Sequence, residues 1–346
     1  MNKGSSPNDF IVGTLLNSVV NFTKGPTGFI NPKDIVVEYD PVARTIKLSG
    51  EVRAFFRGRV IRVIRDGWTS EPHPNSLGRW YLYYDGQEVK WSQSIWTYDF
   101  LQIAYVYHGS SAKFAIKETH GFIPHEAHDI FHNTVGSYRK SGGDFSGYVL
   151  NSSTPADRRP LVSALTFQDE DLINVLPAIT AESYTRVSYT GTGQASFTLS
   201  ATDIVPVTGG IPYWNQFNGA TWIQTPMSVG KYMSIWLVAI PTTSDSTSLP
   251  YRFCWIQGQS EGTLVEQQAL SPINVYLENI AAEYVFTNKV IIQYIGGVWK
   301  IVEVSTLFGT RVNQRVVPLG NYLSSVSTDG ITITGDGTPG NPIRLV

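Results

Sequence analysis

The chain has 346 residues, of which 42% are hydrophobic and only 16% charged, against a usual charged share of about 25%; this is enough for two or three folded domains with surfaces rich in Ser, Thr, Asn, Gln and aromatics. A net charge of −2 provides no field for holding nucleic acid or an anionic membrane. One cysteine, Cys254 in an apolar strand-like run, rules out an internal disulfide framework and a cysteine-based zinc site, and is expected to be buried and inert.

No apolar run reaches the ~18 residues that a membrane-spanning helix requires; the nearest, Tyr232–Ile240, has the length of a strand. At the N-terminus, Pro7 and Asp9 precede a short FIVGTLL, which does not read as a secretory leader. The expectation is a soluble chain with no membrane insertion.

In chain order, residues 1–33 are expected to form an arm. A first antiparallel β domain follows over residues 34–120. Its signals are the alternation in Ile35–Tyr39 and Thr45–Leu48 about an Asp40-Pro41 turn, and the pair Trp80–Tyr84 and Gln87–Trp91 about Asp85-Gly86. Asp-Gly supplies the positive φ values of a two-residue type I′ turn. Leu101–Tyr107 and Lys113–Lys117 add two more strands. Residues 121–183 read as a helical elbow and connector, with a helix over His125–Asn133 behind Pro124. From residue 184 to 320 the pattern is strands and Gly-rich turns, suiting a sandwich or jelly roll. These strands include Ser188–Leu199, Tyr232–Ile240, Tyr251–Gln257, Val285–Gln293 and Val298–Val304. Residues 321–346, with Ile331–Thr334 and Ile343–Val346, form a pairing tail too small to hold its own core.

Four groups of residues could carry chemistry. His125, His128 and His132 fall on one helical face, where they could bind zinc. The His-Glu-x-x-His pattern fails, however, because Asp129 stands four residues after His125. The expected role is a polar stripe at a subunit interface or against nearby carboxylates, with no metal and no cofactor. Arg57, Arg59 and Arg62, within a run that also holds Arg53 and Arg65, interleave with aromatics. Strand alternation splits them between two faces, and subunit pairing is expected rather than nucleic-acid binding. Asp169, Glu170 and Asp171 form an acidic run, a type usually found in solvated loops. Tyr213, Trp214, Asn215, Gln216, Phe217 and Trp222 combine aromatic faces with amides, the combination a glycan-binding surface uses; a core cluster at a sandwich edge is the competing reading. The literal GxGxxG at residues 335–340 leaves no room for the helix that would hold a phosphate.

The segment from His120 to Ile179, HGFIPHEAHDIFHNTVGSYRKSGG and onward through ADRRPLVSALTFQDEDLINVLPAI, resembles a family of tailed-bacteriophage virion proteins described as structural or tail-fibre-like. The closing GDGTPGNPIRLV is similar to the strand–turn–strand endings of phage fibre and spike proteins. The resemblance covers about half the chain and brings no catalytic residue with it. It implies a virion protein of the tail or its fibres, made in the host cytoplasm. Such a protein would be a homo-oligomer with three-fold symmetry as the default, contacting other virion proteins and a host-surface glycan. A head-decorating or head-fibre capsid protein and a polysaccharide-degrading tailspike enzyme are the alternatives; the absence of an internal repeat argues against the long β-helix common among such spikes.

Overall fold

In Ile35–Asp40, residues 35, 37 and 39 point inward and residues 36, 38 and 40 outward, the period of a strand with one wet face. It pairs in register with Thr45–Gly50, whose Ile46 and Leu48 complete the buried side of the hairpin. The computed structural model of the chain describes residues 25–307, except positions 98, 135, 181–182, 278–279 and 282, together with the strands Ser325–Thr328, Ile331–Thr334 and Arg344–Leu345. The fold is mainly β. Most of the arm expected over residues 1–33 lies outside the described residues; its described end, Gly28–Phe29, pairs with Ala54–Phe56.

Two larger sheets organise residues up to 307. The first has four antiparallel strands in the order Val89–Ser92, Gly78–Tyr84, Leu101–His108 and Lys113–Lys117. Its aromatic hairpin forms as expected, but the turn differs. Tyr84 pairs with Val89, which leaves a four-residue loop. The Asp85 carboxylate accepts the backbone N–H groups of Gln87 and Glu88, so an Asp side chain replaces the two-residue turn.

The second sheet has six strands in the order Gln194–Ala201, Tyr184–Thr190, Phe253–Ile256, Tyr232–Ala239, Val285–Tyr294 and Trp299–Thr306. All neighbours are antiparallel except Tyr184–Thr190 beside Phe253–Ile256, which run parallel. The central strand Tyr232–Ala239 is apolar almost throughout because both of its faces are covered.

The hydrophobic clusters give the layer order. Trp80, Leu82, Leu101 and Ile103 face the Ile35–Gly50 hairpin. The opposite face of that sheet, with Tyr81, Tyr83, Tyr105, Tyr107 and Phe114, packs on Val187, Trp236, Val238, Cys254 and Phe286 of the six-stranded sheet. The far side of that sheet, with Ile235, Leu237, Trp255 and Ile292, packs on Val162, Leu165, Phe167 and Leu176 of the connector. Cys254 is fully buried, and burial raises its thiol pKa.

The expected boundary between a β domain ending at residue 120 and a sandwich starting at 184 therefore does not separate two cores. The face of one sheet is the cover of the other, and residues 1–312 make one unit. Residues 184–307 supply the six-stranded sheet and a small three-stranded one, Val207–Thr208, Ile211–Phe217 and Trp222–Pro226, and much of what covers the larger sheet, including the aromatic face of the four-stranded sheet and the connector, comes from earlier in the chain. Residues 313–346 form a second unit, in which Ser325–Thr328, Ile331–Thr334 and Arg344–Leu345 make an antiparallel meander.

Under the first hairpin, the Tyr39 hydroxyl lies 3.0 Å from His73 Nε2 and 3.1 Å from His108 Nδ1. His73 Nδ1 lies 2.8 Å from the Pro74 carbonyl and so carries the proton there. Nε2 then accepts from Tyr39, and His108 Nδ1–H donates to the tyrosine oxygen. His73 must be neutral to accept in this way, whereas the Nδ1–H of His108 can donate in either protonation state. Burial, with the neighbouring imidazole of His73 and the cations Lys113 and Arg44, pushes His108 down from 6.5 to about 4. A histidine whose pKa is depressed by folding contributes stability above its unfolded value and loses it as pH falls through its folded value. We expect the urea midpoint to fall between pH 6.5 and 4 more steeply in the wild type than in His108→Gln; equal slopes would show that this histidine is not held neutral.

Candidate functional site

The acidic run 169–171 is not a solvated loop. Leu165–Asp169 and Leu172–Leu176 form a tight hairpin with Glu170 and Asp171 at its tip, and Asp169 and Glu170 are 2% and 5% exposed. Three other segments converge on that tip.

The first is Glu118-Thr119-His120, which follows directly from the strand Lys113–Lys117. Extended geometry puts residues 118 and 120 on one side, and His120 Nε2 lies 3.4 Å from Glu118 Oε2. His120 Nδ1 lies 2.7 Å from Asp171 Oδ1, while Asp171 Oδ2 accepts the Gly121 N–H at 2.6 Å. Gly121 permits this approach, since a Cβ there would lie 2.6 Å from Asp171 Oδ2.

The second segment is the helix His125–Thr134. Positions 128 and 132 share its inner face. His128 Nε2 lies 2.9 Å from Glu170 Oε2, and His132 Nδ1 lies 2.6 Å from Glu170 Oε1. His125 is half-buried and 4.0 Å from Asp99, and it lines a small cavity together with His120 and His128. The histidine stripe thus divides. Two of the three residues expected at a subunit interface face a carboxylate of their own chain, because the helix lies over the hairpin tip.

The third segment brings Ser137, which pairs in register with Asp169. Its hydroxyl lies 2.9 Å from Asp169 Oδ1 and also contacts Glu283 Oε2. One hydroxyl proton satisfies one carboxylate, so the other carboxyl must bring its own proton. Burial, reinforced by the charges of Asp169 and Glu118, raises Glu283 well above the carboxylate range and makes it the protonated partner. Burial also raises Asp169 to about 7, against the charge of His120.

The remaining titrations follow from the same geometry. Burial works against the charged form of His120, yet hydrogen bonds to Asp171 and Glu118 outweigh it and hold its pKa well above the ordinary value. His128 is lowered by burial, while His132, more exposed and bonded to Glu170, is raised. Glu170 is itself lowered to about 2: burial opposes the shift, but its two histidine partners overcome it.

Its backbone sits at φ +48°, a conformation that costs a non-glycine residue ~1–3 kcal/mol. The two imidazoles, and a bond from its own N–H to the Gly136 carbonyl, hold it there. Metal-ligand chemistry is available in two overlapping sets, His120 with His128 and Glu170, and His120 with Glu118 and Asp169; in each set one ligand atom per residue lies within 4.8 Å of the others. A cavity of about 10 Å³ adjoins His120 and His128.

The other expected sites look different. Ile211–Phe217 is a strand paired with Trp222–Pro226, not a Gly-rich loop. Asn215 is fully buried; its amide donates to the carbonyls of Tyr189 and Ile223, and its oxygen accepts the Tyr189 N–H. Nothing of this side chain remains for a sugar. Trp222 is buried against Tyr189, Tyr276 and Phe217, and Gln216 accepts from Thr225. Strand alternation sends Tyr213, Asn215 and Phe217 to one face and Trp214 and Gln216 to the other, so these residues do not share a single face. Arg57, Arg59 and Arg62 are exposed on and beside the short hairpin Ala54–Phe56 and Arg59–Ile61, with the Arg57 guanidinium 5.0 Å from the Phe56 ring centroid.

No protein-family model matches this chain, and neither does any curated protein or solved structure.

Removing one partner of a buried ion pair costs about 3–5 kcal/mol. We expect Glu170→Ala to lose stability of that order in urea unfolding; a loss below ~1 kcal/mol would mean that the two imidazoles do not depend on it. In the hairpin of Ile211–Phe217 and Trp222–Pro226, Asn215→Ala leaves buried backbone groups without partners and is expected to cost about 1–3 kcal/mol. Phe217→Ala, at an exposed edge, is expected to stay within about 0.5 kcal/mol. A reversed order in thermal melts would return these residues to a binding surface.

Proposed function

We infer that this chain is a structural protein of a tailed-bacteriophage virion, a component of the tail or its fibres that assembles as a homo-oligomer. The structural character of the reading rests on one observation. The groups best equipped for chemistry, three histidines and five carboxyls, are used to fasten separate segments together, beside a cavity of about 10 Å³. That is room for about one water and none for a sugar. A clamp, not a reaction, is what such packing provides. The assignment to the phage tail is supported by the resemblance of the segment from His120 to Ile179, which supplies the helix, the acidic hairpin and therefore most of the clamp. The mainly β fold and the low charge suit a particle component built for contact. In this reading Arg57, Arg59 and Arg62, which are exposed, meet a neighbouring copy or another virion protein.

Gold-labelled antibody raised against the whole chain, applied to intact particles under the electron microscope, tests the placement. Label on the tail or its fibres is the expected result. Label over the head would transfer the protein to capsid decoration, and particles free of label, with no peptides of this chain by mass spectrometry, would end the virion reading.

A further inference from the structure

We propose that Glu118, His120 and Asp169 bind one divalent first-row transition-metal ion, with Asp171 as the residue that orients the histidine. The three side chains come from a strand end and a hairpin arm, and all are at least nine-tenths buried, at 4%, 5% and 2% exposure. His120 Nε2 and Glu118 Oε2 stand 3.4 Å apart. Two ligands of a tetrahedral ion at about 2.0–2.2 Å lie roughly 3.3–3.6 Å from each other, so this pair already has the required spacing. One atom of each of the three residues lies within 4.8 Å of the others, which leaves a small side-chain movement for Asp169 to complete the set.

Two independent features point to an ion rather than to an ordinary ion-pair network. Glu118 Oε1 and Asp169 Oδ2 are buried, and among the described residues neither has a hydrogen-bond partner. A buried carboxylate oxygen without a donor costs several kcal/mol unless a cation meets it. The other side of His120 is arranged as metal-bound imidazoles usually are: Nδ1–H donates to the Asp171 carboxylate at 2.7 Å, and Asp171 is itself fixed by the Gly121 N–H. That fixes the Nδ1 side of the ring, so that an ion displacing the Nε2 proton would meet the nitrogen lone pair and Glu118 together. One nitrogen and two carboxylate oxygens suit Zn²⁺, Mn²⁺ or Fe²⁺ better than soft, thiolate-seeking ions.

The site differs from the His125, His128 and His132 stripe suggested by helical spacing, and it does not depend on the virion reading. Its role is structural, joining the end of the four-stranded sheet to the acidic hairpin.

The test uses the full-length protein, stripped with chelator, checked for retained fold by circular dichroism, and dialysed against Zn²⁺ or Co²⁺ alone. We expect one ion per chain by elemental analysis, visible d–d absorption for Co²⁺, and a higher melting temperature with Zn²⁺ than with Mg²⁺. His125→Ala, a histidine outside the set, is expected to keep the ion. Asp171→Asn should weaken Zn²⁺ binding 10- to 100-fold, and Glu118→Gln should weaken it at least as much. If Glu118→Gln fails to fold, the Asp171→Asn affinity and the wild-type stoichiometry still decide. A folded wild type that takes up no Zn²⁺, Co²⁺, Mn²⁺ or Fe²⁺ at micromolar concentration overturns the proposal. So does binding lost with His125→Ala but unchanged in Asp171→Asn.

Discussion

A carboxylate taken out of water must be met by charge or by hydrogen bonds, and Glu170 is met by two imidazoles one helical turn apart. That requirement fixes more than one side chain. The helix has to lie across the hairpin tip with residues 128 and 132 turned down. The tip has to adopt a left-handed backbone at a residue with a side chain. The neighbouring Asp171 then reaches back to His120 and Gly121 at the end of the four-stranded sheet, while Asp169 meets Ser137. With Glu283, which meets Ser137 from far along the chain, five pieces of chain are located by one buried polar knot. Without it the connector would be held on the six-stranded sheet by its apolar face and by a few polar contacts such as that of Arg158 with Trp299.

The layers obey a simpler rule. A strand with two apolar faces must be covered twice, and Tyr232–Ala239 is such a strand. Alternation within Phe253–Ile256 shows the consequence residue by residue: Phe253 and Trp255 join the cluster on the connector side, and Cys254 and Ile256 the cluster on the side of the four-stranded sheet. At the far edge, Arg158 lies over the Trp299 ring, 4.3 Å from its centroid, and donates to the Trp299 carbonyl, tying the connector to the last strand. No layer is spare.

Much of this was legible in the residues themselves, because period-two alternation and apolar runs are local. The hairpin Ile35–Gly50, the strands Leu101–His108 and Val285–Tyr294, and the helix behind Pro124 are where the pattern puts them. The short helix Leu264–Ala269 went unread although Thr263 and Glu266 spell a capping box before it. The clamp was half legible. The inner face of His128 and His132 follows from helical spacing, and Glu118 beside His120 follows from strand alternation. Their partners lie between 38 and 51 residues on, and Glu283 lies 146 residues from Ser137; no local period encodes contacts at that range. The burial of the acidic run was misjudged for the same reason, since what covers it is a distant helix. Asn215 likewise looked like a sugar ligand because its partner, the Tyr189 backbone, comes from another strand.

The parallel pairing of Tyr184–Thr190 with Phe253–Ile256 has a bearing on how the molecule is made. Contacts between residues far apart in sequence form slowly, because the loop between them must be closed before any burial repays the lost freedom. Here the first sheet leaves the ribosome with Tyr81, Tyr83, Tyr105, Tyr107 and Phe114 uncovered, and their cover, from Val187 to Phe286, is synthesised much later. For that interval a nascent chain carries an adhesive aromatic face and an unpaired edge, the form in which β proteins aggregate. The stability of the finished stack does not protect the growing chain during that wait; only the arrival of its second half does.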